Sequence, residues 1–225
     1  GTTNNVIYST TINVGVTNAI LNSAAFTTAG TYTASDLTNI KLWYSSLASF
    51  NPASSSLLGT LTTGLGAGAQ SFNSLSQSMA VGNAYLYLTV DVPCGATLSS
   101  TISVNAIDSS NLTFASGTPS GSGSIGGVQT ITASNPSDAS AINATATGTS
   151  GQASVAFTLP SGCYDEVMIV VAAASNTGTP SGNGSAYTAN ATYSNGTALG
   201  NGYVIYKGTT SPQLVNGLTN GSTYY

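Results

Sequence analysis

Residues 84–92 read AYLYLTVDV. Leu86, Leu88, Val90 and Val92 alternate with Tyr85, Tyr87, Thr89 and Asp91. Successive side chains of an extended chain point to opposite sides, so this period of two predicts a strand with one buried face. Working outward, short runs rich in Val, Ile, Thr and Tyr predict further strands over 12–17, 40–46, 57–63, 101–107, 128–132, 152–159, 166–173, 203–208 and 213–218. Clusters of Gly, Asn, Ser and Pro separate them roughly every 8–15 residues, the spacing of a β-sandwich. Helical turns are predicted only at 34–37 and 74–79. The fold class is all-β.

Charge narrows the function. Charged residues make up 4% of the 225, with Lys41 and Lys207 the only cations, no histidine, and a net charge of −4. Without imidazole, the chain builds no Ser-His or Cys-His catalytic pair and no histidine-ligated zinc site. With two cations it has no basic surface for a phosphate backbone or an anionic lipid face, which predicts no nucleic-acid partner and no membrane partner. The longest apolar run, 167–174, is far short of the ~20 residues that span a bilayer. The apolar fraction of 41%, gathered into strand-like runs, is enough for a packed core. Gly1 begins the chain without a basic stretch ahead of an apolar run, which reads as a mature or internal segment.

The loop 117–127 (GTPSGSGSIGG) and the break at Pro136 place a boundary. They predict a sandwich at 1–132, a linker at 133–137 and a second sandwich at 138–225, with one continuous domain as the alternative. GTPSG recurs at Gly117 and Gly178 and reads as shared loop composition.

From Tyr164 onward the chain carries MIVVA (168–172), YTANA (187–191), GNGYVIYKG (200–208) and VNGLTNGSTYY (215–225). In kind and order these runs resemble the fibronectin type III-like modules of large secreted proteins of Bacteroidota, over most of 150–225. The resemblance implies an immunoglobulin/fibronectin type III-like sandwich in which Leu218 and Tyr224 form a tyrosine corner, the Tyr hydroxyl bonding upstream backbone. Asn220 and Ser222 stand where that pattern has Pro and Thr, which predicts a looser turn. Residues from about 10 to 130 resemble the β-rich assembly module that precedes sialidase-type repeats in similar secreted proteins, through NIKLWY (39–44), LGT (58–60) and GNAYLYLTVDV (82–92). Together the resemblances imply two sandwiches in tandem and export by the type IX route. They also imply that the second sandwich lacks its last strands, because the family pattern continues beyond Tyr225. Either the polypeptide is part of a longer chain, or another chain supplies a strand, for which 5–16 (NVIYSTTINVGV) is a donor.

Asp165 and Glu166, the only adjacent acidic pair, are a weak Ca²⁺ candidate beside the plainer reading of a solvated loop, and no other cofactor is expected. Six scattered acids and a single Trp give no glycosidase site, so no catalytic residue is assigned and the chain is expected not to be an enzyme. Lys41 and Lys207 invite comparison with the Lys–Asn isopeptide bonds of some adhesins. That chemistry needs a nearby acid in an apolar setting, and the spacing shows none. Cys94 and Cys163 both fall in turns; they either form a disulfide joining the two domains or stand as unpaired small residues. Ser109, within Asp-Ser-Ser, is an O-glycosylation candidate, and Asn-x-Ser/Thr sequons occur at Asn111, Asn143, Asn183, Asn190, Asn195 and Asn220. Tyr85, Tyr87 and Trp43 either stack on sugar rings or pack across strands.

The expected function is a non-catalytic structural or adhesive module of a secreted surface adhesin or filament. Its expected partners are neighbouring domains, subunits joined by strand addition, and surface glycans. The alternatives are a spacing or glycan-binding region of a secreted hydrolase, such as a sialidase or peptidase, and a fibre subunit assembled by strand exchange.

Overall fold

The structure, a computed structural model, describes residues 1–132, 139–181 and 184–225. The predicted linker 133–137, with Asp138, and the sequon at Asn183 lie outside the described residues. The chain divides into two compact units, Gly1–Ala133 and Ser134–Tyr225, and both are all-β.

Unit 1 contains β1 (Thr2–Val14), β2 (Ala19–Gly30), β3 (Asn39–Ser45), β4 (Ser56–Leu61), β5 (Gly68–Phe72), β6 (Gln77–Met79), β7 (Gly82–Val92), β8 (Thr101–Val104), β9 (Leu112–Phe114) and β10 (Gln129–Thr130). One antiparallel sheet has the order β1-β7-β3-β4, so the strand read first from the sequence is hydrogen-bonded on both sides. The second sheet runs β10-β8-β2-β5, with β6 and β9 also pairing β2. Ile40, Leu42, Leu86, Leu88 and Val90 from the first sheet meet Leu21, Phe26, Phe72, Ile102 and Val104 from the second in one buried cluster. Phe26 stands edge-on to Tyr8 and Phe72 at ring separations of 6.3 and 6.1 Å. β2 ends at Gly30 (φ +131°), where a Cβ would collide with the Thr101 carbonyl oxygen, so the close approach to β8 requires glycine.

Three expectations need correction. β7 has two buried faces: Tyr87, Thr89 and Asp91 are sealed from solvent as thoroughly as the leucines. Phe50 of the 46–55 loop covers Tyr87, packing on it and on Trp43 with centroids 5.3 and 5.4 Å away. The Trp43 indole lies on Thr89, and Lys41, Asn4 and Asn39 surround Asp91. Residues 74–79 form no helical turn; 77–79 are β6, paired with β2. The proposed donor 5–16 falls largely within β1, already paired with β7 from Thr2 to Val14, and donating it would dissolve that pairing.

Unit 2 contains β11 (Ser140–Ala146), β12 (Ala153–Thr158), β13 (Val167–Ala172), β14 (Ala198–Leu199), β15 (Gly202–Gly208) and β16 (Gln213–Val215). Two three-stranded antiparallel sheets, β11-β12-β16 and β13-β15-β14, share a small buried cluster of Val155, Val171, Ile205 and Val215. Every residue of β11 is exposed.

Candidate functional site

The outer face of the first sheet in unit 1 gathers a Lys, an Asp and two Asn residues. β7 lies between β1 and β3 with Asn39 opposite Asp91, which sets Lys41 of β3 beside the Asp91 side chain. Lys41 Nζ is 2.6 Å from Asp91 Oδ2, with the two side chains 17% and 6% exposed. Asn39 Nδ2 donates to the same oxygen at 2.7 Å. From the other side, the Asn4 backbone N–H donates to Asp91 Oδ1 at 2.7 Å, while Asn4 Oδ1 accepts from Lys41 Nζ at 3.1 Å. β1 is irregular here: the register shifts between Thr2 and Asn5, and Asn4 has φ +56°. A bulge re-aims a side chain, and this one turns both the amide N–H and the carboxamide of Asn4 toward Asp91 and Lys41. Burial alone would raise the Asp91 pKa, but hydrogen bonds from Lys41, Asn4 and Asn39 and the Lys41 charge outweigh it and hold the carboxyl below its ordinary value.

One row further along the same face, the Trp43 indole N–H donates to Thr89 Oγ1 at 2.9 Å and the Tyr87 hydroxyl donates to the Leu47 carbonyl at 3.2 Å. Trp43 and Tyr87 are 7% and 4% exposed, which leaves no ring face for a sugar. The sugar-stacking reading of these two residues is therefore corrected to cross-strand packing, in which they sit directly opposite each other.

Asp36 was not singled out in the sequence, yet it is buried and accepts from the Thr33 and Thr97 backbone N–H groups, both at 2.7 Å. Those bonds lower its pKa to about 2.

In unit 2 the sequence-predicted residues separate. Glu166 Oε1 is 2.8 Å from Lys207 Nζ, which also donates to the Gly184 carbonyl; Asp165 is exposed. Among the described residues no group of three or more His, Cys, Asp or Glu side chains is placed to hold a metal. The Tyr224 hydroxyl accepts from the Thr219 backbone N–H at 3.0 Å, and its ring packs edge-on against Tyr193 at 5.1 Å. Leu218 borders the buried cluster. The turn between them is tied down rather than loose: Asn220 Oδ1 accepts from Gly151 N–H at 2.9 Å and its Nδ2 donates to Ser150 Oγ at 2.7 Å. Back in unit 1, Asp108 caps a short 3₁₀ turn containing Ser109 by accepting from Ser110 N–H. Neither cysteine is a free thiol; Cys94 and Cys163 are both disulfide-bonded.

The other distinctive surface is an open apolar cleft of about 690 Å³ in unit 2, lined by Ile142, Val155, Phe157, Ile169 and Tyr224 among others. β13 forms one border and is the edge of its sheet. Tyr225 meets it there: Tyr225 N–H donates to the Ala172 carbonyl at 2.8 Å, and Ala172 N–H donates back at 2.9 Å.

The chain matches no protein-family model, and no curated protein matches it. No described helix is long and apolar enough to cross a membrane.

Proposed function

We propose that this chain is a non-catalytic structural or adhesive segment of a secreted cell-surface protein or extracellular filament, joined to its neighbours by β-strand addition at unit 2. The observation that carries the reading is the reciprocal hydrogen bonding of Tyr225 with Ala172 at the edge of β13. Such a pair is the first rung of an antiparallel ladder. Backbone groups alternate along a strand, so Met168 and Val170 direct their N–H groups to the same side as Ala172. Among the described residues the strand paired with β13 is β15 alone. An edge beside an apolar cleft is a template for an added strand, with backbone bonds supplying affinity and alternate side chains filling the cleft. The disulfide state of both cysteines supports an extracellular setting, since such bonds persist in oxidising compartments.

Val170→Pro tests this reading by removing the edge-facing N–H, with Met168→Pro as its companion. The expected outcome is loss of surface assembly of the parent protein while the near-ultraviolet dichroism of the isolated 225-residue chain stays unchanged. Normal assembly by both variants contradicts the proposal.

A further inference from the structure

The polar cluster on the outer face of unit 1 is more than an ion pair. It holds an amine, a carboxamide and a carboxylate in contact, on three adjacent strands, with the acid on the middle one. The geometry points to an autocatalytic cross-link: an intramolecular amide between Lys41 Nζ and Asn4 Cγ, formed with Asp91 as the proton carrier.

Three observations support it. The Asn4 carbonyl oxygen accepts from the amine at 3.1 Å, which holds the carboxamide and the nucleophile in contact, so attack needs only a rotation that brings Nζ over Cγ. Asp91 Oδ2 is 2.6 Å from the same nitrogen, near enough to take its proton directly. The bulge and the left-handed backbone at Asn4 exist at the one position where they produce this contact, and Asn5 braces the bend by donating to the Val90 carbonyl at 3.1 Å. The partly buried setting, with the Asp91 side chain 6% exposed, also favours discharging an ion pair into neutral products.

The step balances. One Nζ proton moves to Asp91, and the neutral amine attacks Asn4 Cγ while the Asp91 acid stabilises the carbonyl oxygen. A second Nζ proton reaches the departing nitrogen through Asp91, the Cγ–Nδ2 bond breaks, and ammonia leaves. Lysine ammonium, aspartate and carboxamide thus become amide, neutral aspartic acid and ammonia, with no change in total charge and no oxidant. At rest the hydrogen bonds to Asp91 hold its carboxyl in the charged form, so the proton transfer that starts the step runs against them, and the reaction is a single-turnover maturation. Lys207 instead pairs with Glu166 and donates to the Gly184 carbonyl. The product would fasten the edge strand β1 to β3 across β7.

The test is intact mass and lysine-specific digestion of the full chain, reduced and denatured after long incubation. With Lys41 and Lys207 as the only basic residues, an unmodified chain is cut into 1–41, 42–207 and 208–225. The expected result is a mass lower by about 17 Da, one ammonia, and no cut at Lys41 because its amine is acylated. A branched fragment joining Asn4 to Lys41 would then appear after digestion with a second protease. Lys41→Arg keeps the charge next to Asp91 but is not a nucleophile; it and Asp91→Asn should restore the unshifted mass. An unshifted wild-type mass with full cleavage at Lys41 makes the cluster an ion pair only and overturns the proposal. So does the mass loss with cleavage at Lys41 intact, which would signify asparagine cyclisation elsewhere. A cross-link persisting in Asp91→Asn would contradict the role given to Asp91.

Discussion

The two units draw on the same residue types and differ in what covers their strands. In unit 1 the central strand β7 has neighbours on both edges and cover on both faces, from Phe26 and Val104 of the second sheet beneath to Phe50 above. In unit 2 the corresponding apolar strand, β13, has one neighbour, a half-buried row of Val167, Met168, Ile169 and Val170, and an open cleft beside it. The first unit is finished by its own sequence. The second presents apolar surface and edge hydrogen-bonding groups of the kind that a further strand would satisfy.

Substitutions should therefore cost different amounts in the two units. Leu88→Ala, at a site with no exposure and no room to collapse, is expected to lower the urea unfolding free energy of unit 1 by about 4 kcal/mol. In the chain before any Lys41 amide forms, Asp91→Ala leaves the Lys41 ammonium without a counter-charge, for a loss of about 3 kcal/mol in the same transition. Ile205→Ala removes as large a side chain from unit 2, but its neighbours can close in from the cleft. The expected loss is about 2 kcal/mol, and a value matching Leu88→Ala would erase the contrast. Lys207→Met breaks an ion pair whose acid is 39% exposed, and should change unit 2 by less than about 1 kcal/mol.

Acid gives an orthogonal check on unit 1. Asp36 has a folded-state pKa of about 2, below its ordinary 3.8. Its stabilising contribution is therefore complete above the unfolded value and disappears as the pH falls from about 4 through 2. The melting temperature of unit 1 should drop across that window, and Asp36→Asn should flatten the drop.

The parts legible in the sequence were those in which burial is written as alternation. β7 was readable from its period-two alternation, and β3, β13 and β15 from short runs dense in β-branched and aromatic residues. β2 was not: AILNSAAFTTAG is small and polar, and a register shift between Leu21 and Ser23 breaks its buried phase. β11, exposed throughout, carries no burial signal at all. Tyr87 and Thr89 were misread as solvent-facing because nothing local says that Phe50 folds back over Tyr87 or that the Trp43 indole reaches Thr89. The Lys41–Asp91–Asn4 cluster depends on two strand registers and one bulge joining residues far apart in the chain. Asp91 did stand on the polar phase of AYLYLTVDV, but the partner that makes it reactive lies at the start of the chain.

Amide hydrogen exchange on the isolated 225-residue chain tests the central contrast most directly. The account predicts that Leu86, Leu88 and Val90 exchange only with global opening of unit 1, while Met168 and Val170 exchange quickly because their edge of β13 pairs with no other described strand. Slow exchange at Met168 and Val170, equal to that along β7, would mean that the edge of β13 is already closed and would contradict strand addition at unit 2.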